Sequence, residues 1–287
     1  MTTFTTHHVR SADGTPIGFR RAGSGPAVVL VHGGLLASQH LVELASELAA
    51  SFEVFVPDRR GRGMSGPYRE VGRSFAEQEA DDIRALLRES GAADLFGLSS
   101  GAIVCLEAVL GLSAVRRLAL YEPPLSVRGS TPTRWLDRYE RELAAGKRAS
   151  ALITGMRGLG IDPVLSRMPH LAAPVMSMLL KTERTSPDEV AIRDLVPTWH
   201  QDFAIIGETA DRLDRYRNIT ADTLLLEGSR SPEFLHHSMD ALQAVLPSSH
   251  RIALPKRGHQ APVDQPRVIA ALLADFFRGR DASGLRP

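Results

Sequence analysis

Cysteine is nearly absent from this 287-residue chain: Cys105 stands alone, which excludes an internal disulfide scaffold and points to a compartment with reduced thiols. No run approaches the ~20 uninterrupted apolar residues of a membrane span. The opening stretch 1–8 has neither the basic start nor the apolar run of a secretory signal. A soluble, cytoplasmic protein is the expectation. Excess charge of either sign is also missing, because 34 Lys and Arg oppose 33 Asp and Glu for a formal net charge of +1. Nucleic acid or an anionic membrane needs a concentrated positive field, so neither is expected as the main partner. Lysine itself is scarce, with only Lys147, Lys181 and Lys256 among the 34 basic residues. An arginine excess spread along the whole chain reflects genome composition better than it marks a site.

What is present is an alternation. Asp13-Gly14 is a turn between two short β-type runs, the second over 16–21. Residues 27–31 form a short, Val-rich, continuous apolar run, as in a strand covered on both faces. Residues 39–50 then carry apolar positions at helical spacing. The strand signal returns at 54–56, 94–98 and 117–121, with one helix capped by Ser74 and another over 101–110. Strands alternating with helices predict an α/β fold, a mainly parallel sheet flanked by helices. After Pro124 the alternation stops, and 135–145, 149–159, 172–181 and 188–196 read as helices. It resumes with a strand at 223–226, a helix over 232–246, a strand at 251–254 and a helix over 266–277. The expected layout is a core over 1–124 and 216–280, with a helical lid over 125–215 above the carboxyl ends of the strands. Residues 281–287 read as a loose tail.

Gly97-Leu98-Ser99-Ser100-Gly101 falls between the strand at 94–98 and the helix behind it. In that setting Gly-x-Ser-x-Gly is a turn too sharp for flanking side chains, and it holds the serine out above the sheet. The helix directs its N-terminus at the same place and favours negative charge developing there. Outside such a setting the same five residues are a Ser/Gly turn with no chemistry. A serine hydroxyl is a weak nucleophile at neutral pH and needs a base beside it.

Four motifs occur in an order that resembles the α/β-hydrolase superfamily over nearly the whole chain. They are His32-Gly33-Gly34, Asp58-Arg59-Arg60-Gly61-Arg62-Gly63-Met64-Ser65, the 97–101 pentapeptide and Gly258-His259. The resemblance implies Ser99 as nucleophile, His259 as base, and the backbone N–H groups of Gly34 and Ser100 as the oxyanion hole. It implies no cofactor and no metal. His32 takes a structural role in the oxyanion loop, and the other eight histidines read as ordinary surface or core residues without metal-ligand spacing.

The acid departs from the family pattern. Most members place an aspartate three residues after a glycine behind the next-to-last core strand; here Glu227-Gly228-Ser229-Arg230-Ser231 puts Ser231 in that slot. A serine cannot stabilise an imidazolium as a carboxylate does. Either the triad lacks its acid or another carboxylate supplies it. Glu122, ending the strand after the nucleophile strand, is the best substitute, at a position some members use, certain haloalkane dehalogenases among them. Its plainer reading is a pair with a neighbouring arginine. Glu227 and Glu233 are weaker candidates, and Asp264 is expected to cap the last helix ahead of Pro266.

With serine in place of an aspartate nucleophile, epoxide-hydrolase and dehalogenase chemistry is disfavoured. Arg59, Arg60 and Arg62 read as surface charge on a structural loop rather than as an acidic-substrate site. Leu35, Trp135, Met156, Met176 and Trp199 are expected to line a pocket for a hydrophobic small molecule, the expected partner. The implied function is hydrolysis of a carboxylic ester or lactone through an acyl-enzyme. Carbon–carbon bond hydrolysis, a lyase or cyclase step at the same site, and non-catalytic binding are the alternatives.

Overall fold

The computed structural model describes residues 2–186 and 188–280, so the expected tail at 281–287 lies outside the described residues. Eight strands form one sheet: β1 (Thr5–Arg10), β2 (Pro16–Gly23), β3 (Ala27–Val31), β4 (Glu53–Pro57), β5 (Asp94–Leu98), β6 (Arg117–Tyr121), β7 (Asp222–Gly228) and β8 (Ser249–Leu254). Their order is β1-β2-β4-β3-β5-β6-β7-β8. β2 pairs antiparallel with β1 and β4, and all the other pairings are parallel. The parallel strands are continuous apolar runs because helices cover both faces; residues 28–31 and 118–121 are wholly buried.

Three helices precede the insertion: α1 (Val42–Leu48), α2 (Phe75–Ser90) and α3 (Ser100–Val109). α2 opens on a reciprocal cap, with Glu77 N–H donating to Ser74 Oγ (3.2 Å) and Ser74 N–H donating to Glu77 Oε2 (2.9 Å). It stops at Gly91, whose φ of 65° is the left-handed conformation that glycine adopts without strain. Between β6 and β7 lie α4 (Leu136–Ala144), α5 (Arg148–Leu159), α6 (Ala173–Thr182), α7 (Ile192–Leu195) and α8 (Trp199–Glu208). α9 (Glu233–Val245), α10 (Ala261–Asp264) and α11 (Pro266–Phe277) complete the chain. α1 and α11 pack on one face of the sheet, and α2, α3 and α9 on the other.

This arrangement fixes where a site can form. From β3 the chain turns to α1 on one face, and from β5 it turns to α3 on the other. β3 and β5 are neighbours, with Val31 opposite Gly97, so a crevice opens between their carboxyl ends.

The structure corrects three local readings. The helix expected over 188–196 shortens to α7, because the backbone of Val190 is bound by the Gln39 side chain (2.7 and 3.0 Å) and Asp188 by Arg20. α8 had no counterpart in the sequence reading. Asp264 ends α10 rather than capping α11, which Gln265 precedes. The insertion packs around its two indoles: Trp135 lies edge-on to Phe203 at 4.6 Å and tilted against Trp199 at 5.9 Å. Both press on α5 where it lacks side chains. A Cβ on Gly155 would lie 2.4 Å from Trp199, and one on Gly158 2.1 Å from Trp135.

Candidate active site

Ser99 sits at φ 56° and ψ −127° between β5 and α3, a strained setting worth roughly 1–3 kcal/mol that needs close support. Its N–H donates to Tyr121 O (2.8 Å). The flanking glycines are sterically required, since a Cβ on Gly97 would lie 2.6 Å from Ala102 Cα and one on Gly101 2.1 Å from His32 O. Glu122, directly after β6, is wholly buried, with φ 46°. Its Oε1 accepts from Gly228 N–H (2.6 Å), and its Oε2 faces His259 Nδ1 at 2.6 Å. A carboxylate oxygen accepts, so Nδ1 is the donor in this contact and Nε2 is the ring nitrogen left over. Tyr121 OH donates to Gly258 O (2.8 Å) and steadies the histidine's loop. Ser238 receives Leu125 N–H (3.0 Å) and donates to Pro123 O, which steadies the loop carrying Glu122.

The other acid candidates are elsewhere. Glu227 is held by Arg251 (2.6 Å) and His236 (2.9 Å), and Glu233 is exposed on α9 near His237. Ser231 lies buried with no hydrogen-bond partner for its hydroxyl among the described residues.

His32 is buried, with a pKa well below its ordinary value because of burial and then the charges of Arg62 and Arg59. Neutral, it accepts Arg59 N–H at Nε2 (3.1 Å) and donates from Nδ1 to Gly33 O (2.9 Å), which fixes the loop beside Ser99. Gly33 and Gly34 allow that approach: a Cβ on Gly33 would lie 2.9 Å from Ser99 Cβ, and one on Gly34 2.9 Å from Asp202 Oδ2.

Ser99, Ser100, Gly34 and His259 line one narrow cavity with about 50 Å³ of free volume. Its wall is mainly apolar, with Leu36, Leu98, Pro124, Leu159, Phe203 and Ile206. Of the five residues expected to line it, Trp199 does. Leu35 turns into the core and its neighbour Leu36 takes the place, while Trp135, Met156 and Met176 pack among the helices of the insertion.

The sequence profile of the alpha/beta hydrolase family matches residues 28–272. The chain belongs to that family. An alpha/beta hydrolase from Sphaerobacter thermophilus DSM 20745 is 32% identical over 94% of this chain and 100% of that one, with a TM-score of 0.75. The uncharacterized hydrolase YraK of Bacillus subtilis (strain 168) is 34% identical over 96 residues, 33% of this chain and 35% of that protein. The 2-(acetamidomethylene)succinate hydrolase of Mesorhizobium japonicum is 23% identical over 260 residues, 90% of each chain.

In this α/β hydrolase the three arginines read as surface charge are buried ion pairs. Arg60 pairs with Asp82 and Asp13 (both 2.6 Å). Arg59 bonds Glu79 (2.5 Å), Asp202 (2.8 Å) and Ser100 Oγ (2.9 Å), and Arg62 bonds Asp202 (2.7 Å). Ser100 Oγ donates to Asp202 Oδ1 (2.7 Å). Burial alone would raise the Asp202 pKa, but Arg62, Arg59 and the Ser100 hydroxyl hold it below the usual value. Asp202 belongs to α8, the helix the sequence reading lacked, so this cluster ties the insertion to the turn bearing Ser99. Trp199, Phe203 and Ile206 recur at helical spacing and mark the buried side of that helix.

Proposed function

We propose that the chain is a cofactor-independent serine hydrolase that cleaves a carboxylic ester or lactone of a small, uncharged, mainly apolar molecule. The reading rests on Ser99 and His259 opening on one cavity while Glu122 meets His259 Nδ1 at 2.6 Å. With Nδ1–H held by Glu122, His259 Nε2 takes the Ser99 proton as Oγ attacks the carbonyl carbon. Negative charge moves to the carbonyl oxygen, against the N–H groups of Gly34 and Ser100. Collapse expels the alcohol, which receives its proton from His259, and water then releases the acyl group by the same route. An alkyl-enzyme ester on a carboxylate nucleophile, as epoxide opening needs on this fold, is not available to Ser99.

Substrate charge follows from the lining. The Mesorhizobium relative is named for a succinate, a dicarboxylate. No Lys or Arg lines this cavity, and Arg59 and Arg62 are committed to buried carboxylates, so two free carboxylates would have no counter-charge. An uncharged ester suits it.

Intact mass after fluorophosphonate treatment, together with turnover of p-nitrophenyl acetate and butyrate, tests the reading. Wild type is expected to gain one adduct and Ser99→Ala none. Glu122→Gln should label ~10²–10⁴ times more slowly, as when a triad acid is neutralised, and Glu227→Gln and Glu233→Gln at the wild-type rate. Wild-type labelling of Glu122→Gln overturns the acid assignment. An unlabelled, inactive wild type overturns the enzyme reading in favour of a small-molecule binder.

A further inference from the structure

Six large apolar side chains are exposed among the described residues, and five of them, Val164, Leu171, Val175, Met178 and Leu179, fall within residues 164–179. Leu171, Val175, Met178 and Leu179 follow helical spacing along one side of α6 and the turn before it. Met176 and Leu180, on the other side, pack into the core. Leu171 is 91% exposed, and nothing among the described residues covers this stripe.

The same stretch is basic. Residues 145–184 carry Lys147, Arg148, Arg157, Arg167, Lys181 and Arg184 against Asp162 and Glu183. Both acids are turned to backbone: Asp162 accepts from Val164 and Leu165 N–H, and Glu183 from Ile192 N–H. The chain-wide balance that argued against a membrane partner averages this segment with an acidic remainder. On the flank of α6 turned away from the stripe, against the start of α5, a cleft of about 600 Å³ is lined by Lys147, Arg148, Lys181 and Arg193 together with Ala173, Ser177 and Leu180. Arg148 and Arg193 share Asp194 (3.0 and 3.7 Å), while neither lysine has a carboxylate partner among the described residues.

We infer that this outer face of the insertion docks on an anionic phospholipid bilayer, with the α6 stripe against the acyl region and the lysines and arginines of the segment at the headgroups. An apolar stripe flanked by cations is complementary to such a surface. A second copy of the chain is a poor occupant, because two-fold pairing would set two basic segments face to face. The face adjoins the reaction cavity: Leu159 and Ile161 line that cavity, and Val164 follows at the surface. Delivery of a membrane-held ester to Ser99 therefore rests on the proposed function, whereas docking does not.

Flotation of the full chain with vesicles of phosphatidylcholine alone, or of phosphatidylcholine with phosphatidylglycerol, reads docking directly. Binding is expected to the mixed vesicles, to weaken about tenfold or more without phosphatidylglycerol, and to fall with added salt. Leu171→Asp/Met178→Asp and Lys147→Glu/Lys181→Glu should each lose about tenfold or more, with wild-type circular dichroism and wild-type turnover of a soluble ester. Ser99→Ala should bind as wild type does, which separates failure of docking from failure of catalysis. Absence of binding to mixed vesicles, or binding that survives either pair of substitutions, overturns the inference. So does a dimer in light scattering that Leu171→Asp/Met178→Asp dissolves.

Discussion

An imidazole kept neutral inside the protein makes stability depend on pH, and His32 is the clearest case. Unfolded, it takes a proton near 6.5; folded, burial and the charges of Arg62 and Arg59 hold its pKa well below that. A depressed folded pKa means that its contribution is complete above 6.5 and is lost as pH falls, at about 1.4 kcal/mol per pH unit until the folded value is reached. His40, also lowered chiefly by burial, acts in the same direction. Unfolding free energy from urea titrations is therefore expected to drop between pH 7 and pH 5. His32→Gln should be less stable at pH 7 yet show a flatter slope, and an unchanged slope would sink the assignment. The residues at Ser99 were legible because each sits on a local signal: the glycines round the serine, the strand end before Glu122, and Gly258-His259 behind β8. Arg59 and Arg62 were not. Their letters state charge, but their burial depends on Glu79, 20 positions away, and on Asp202, 143 positions from Arg59.

Among the elements, α8 couples the insertion to the turn that bears Ser99. Its Asp202 is the shared acceptor of two buried guanidiniums and of the Ser100 hydroxyl, whose own N–H faces the reacting oxygen in the proposed mechanism. An amide in its place removes the charge between Arg59 and Arg62 and turns an NH₂ group toward donors. Breaking a buried pair in this way costs about 3–5 kcal/mol, which urea unfolding of Asp202→Asn would measure. Displacement of the Ser100 N–H is expected to lower kcat ~10–100-fold, with KM little changed because the apolar wall remains. Wild-type kcat and stability in Asp202→Asn would remove α8 from any positioning role. This helix escaped the sequence reading because Pro197 breaks the pattern just ahead of it, and no strong cap announces it. The strands and α11 were plain by contrast, since unbroken Val- and Leu-rich runs between Gly and Pro leave one reading.

At the scale of the whole molecule, the insertion reads in sequence as a separate helical layer, yet its side chains share one apolar cluster with the sheet. Trp135, Tyr139, Leu152, Trp199 and Phe203 are continuous with Val29, Leu95, Ile103 and Leu106 on the α2 and α3 face. The Arg59, Arg62, Asp202 and Glu79 cluster crosses the same boundary, so melting the insertion alone would strand buried charges as well as expose apolar surface. A single cooperative transition is the expected behaviour. The two tryptophans make this simple to check, because both belong to the insertion while far-UV circular dichroism reports the entire chain. Tryptophan fluorescence and circular dichroism should give coincident urea curves with one midpoint. Fluorescence leading at lower urea would mean that the insertion opens on its own, and that the buried cluster beside Ser99 does not bind the two parts into one folding unit.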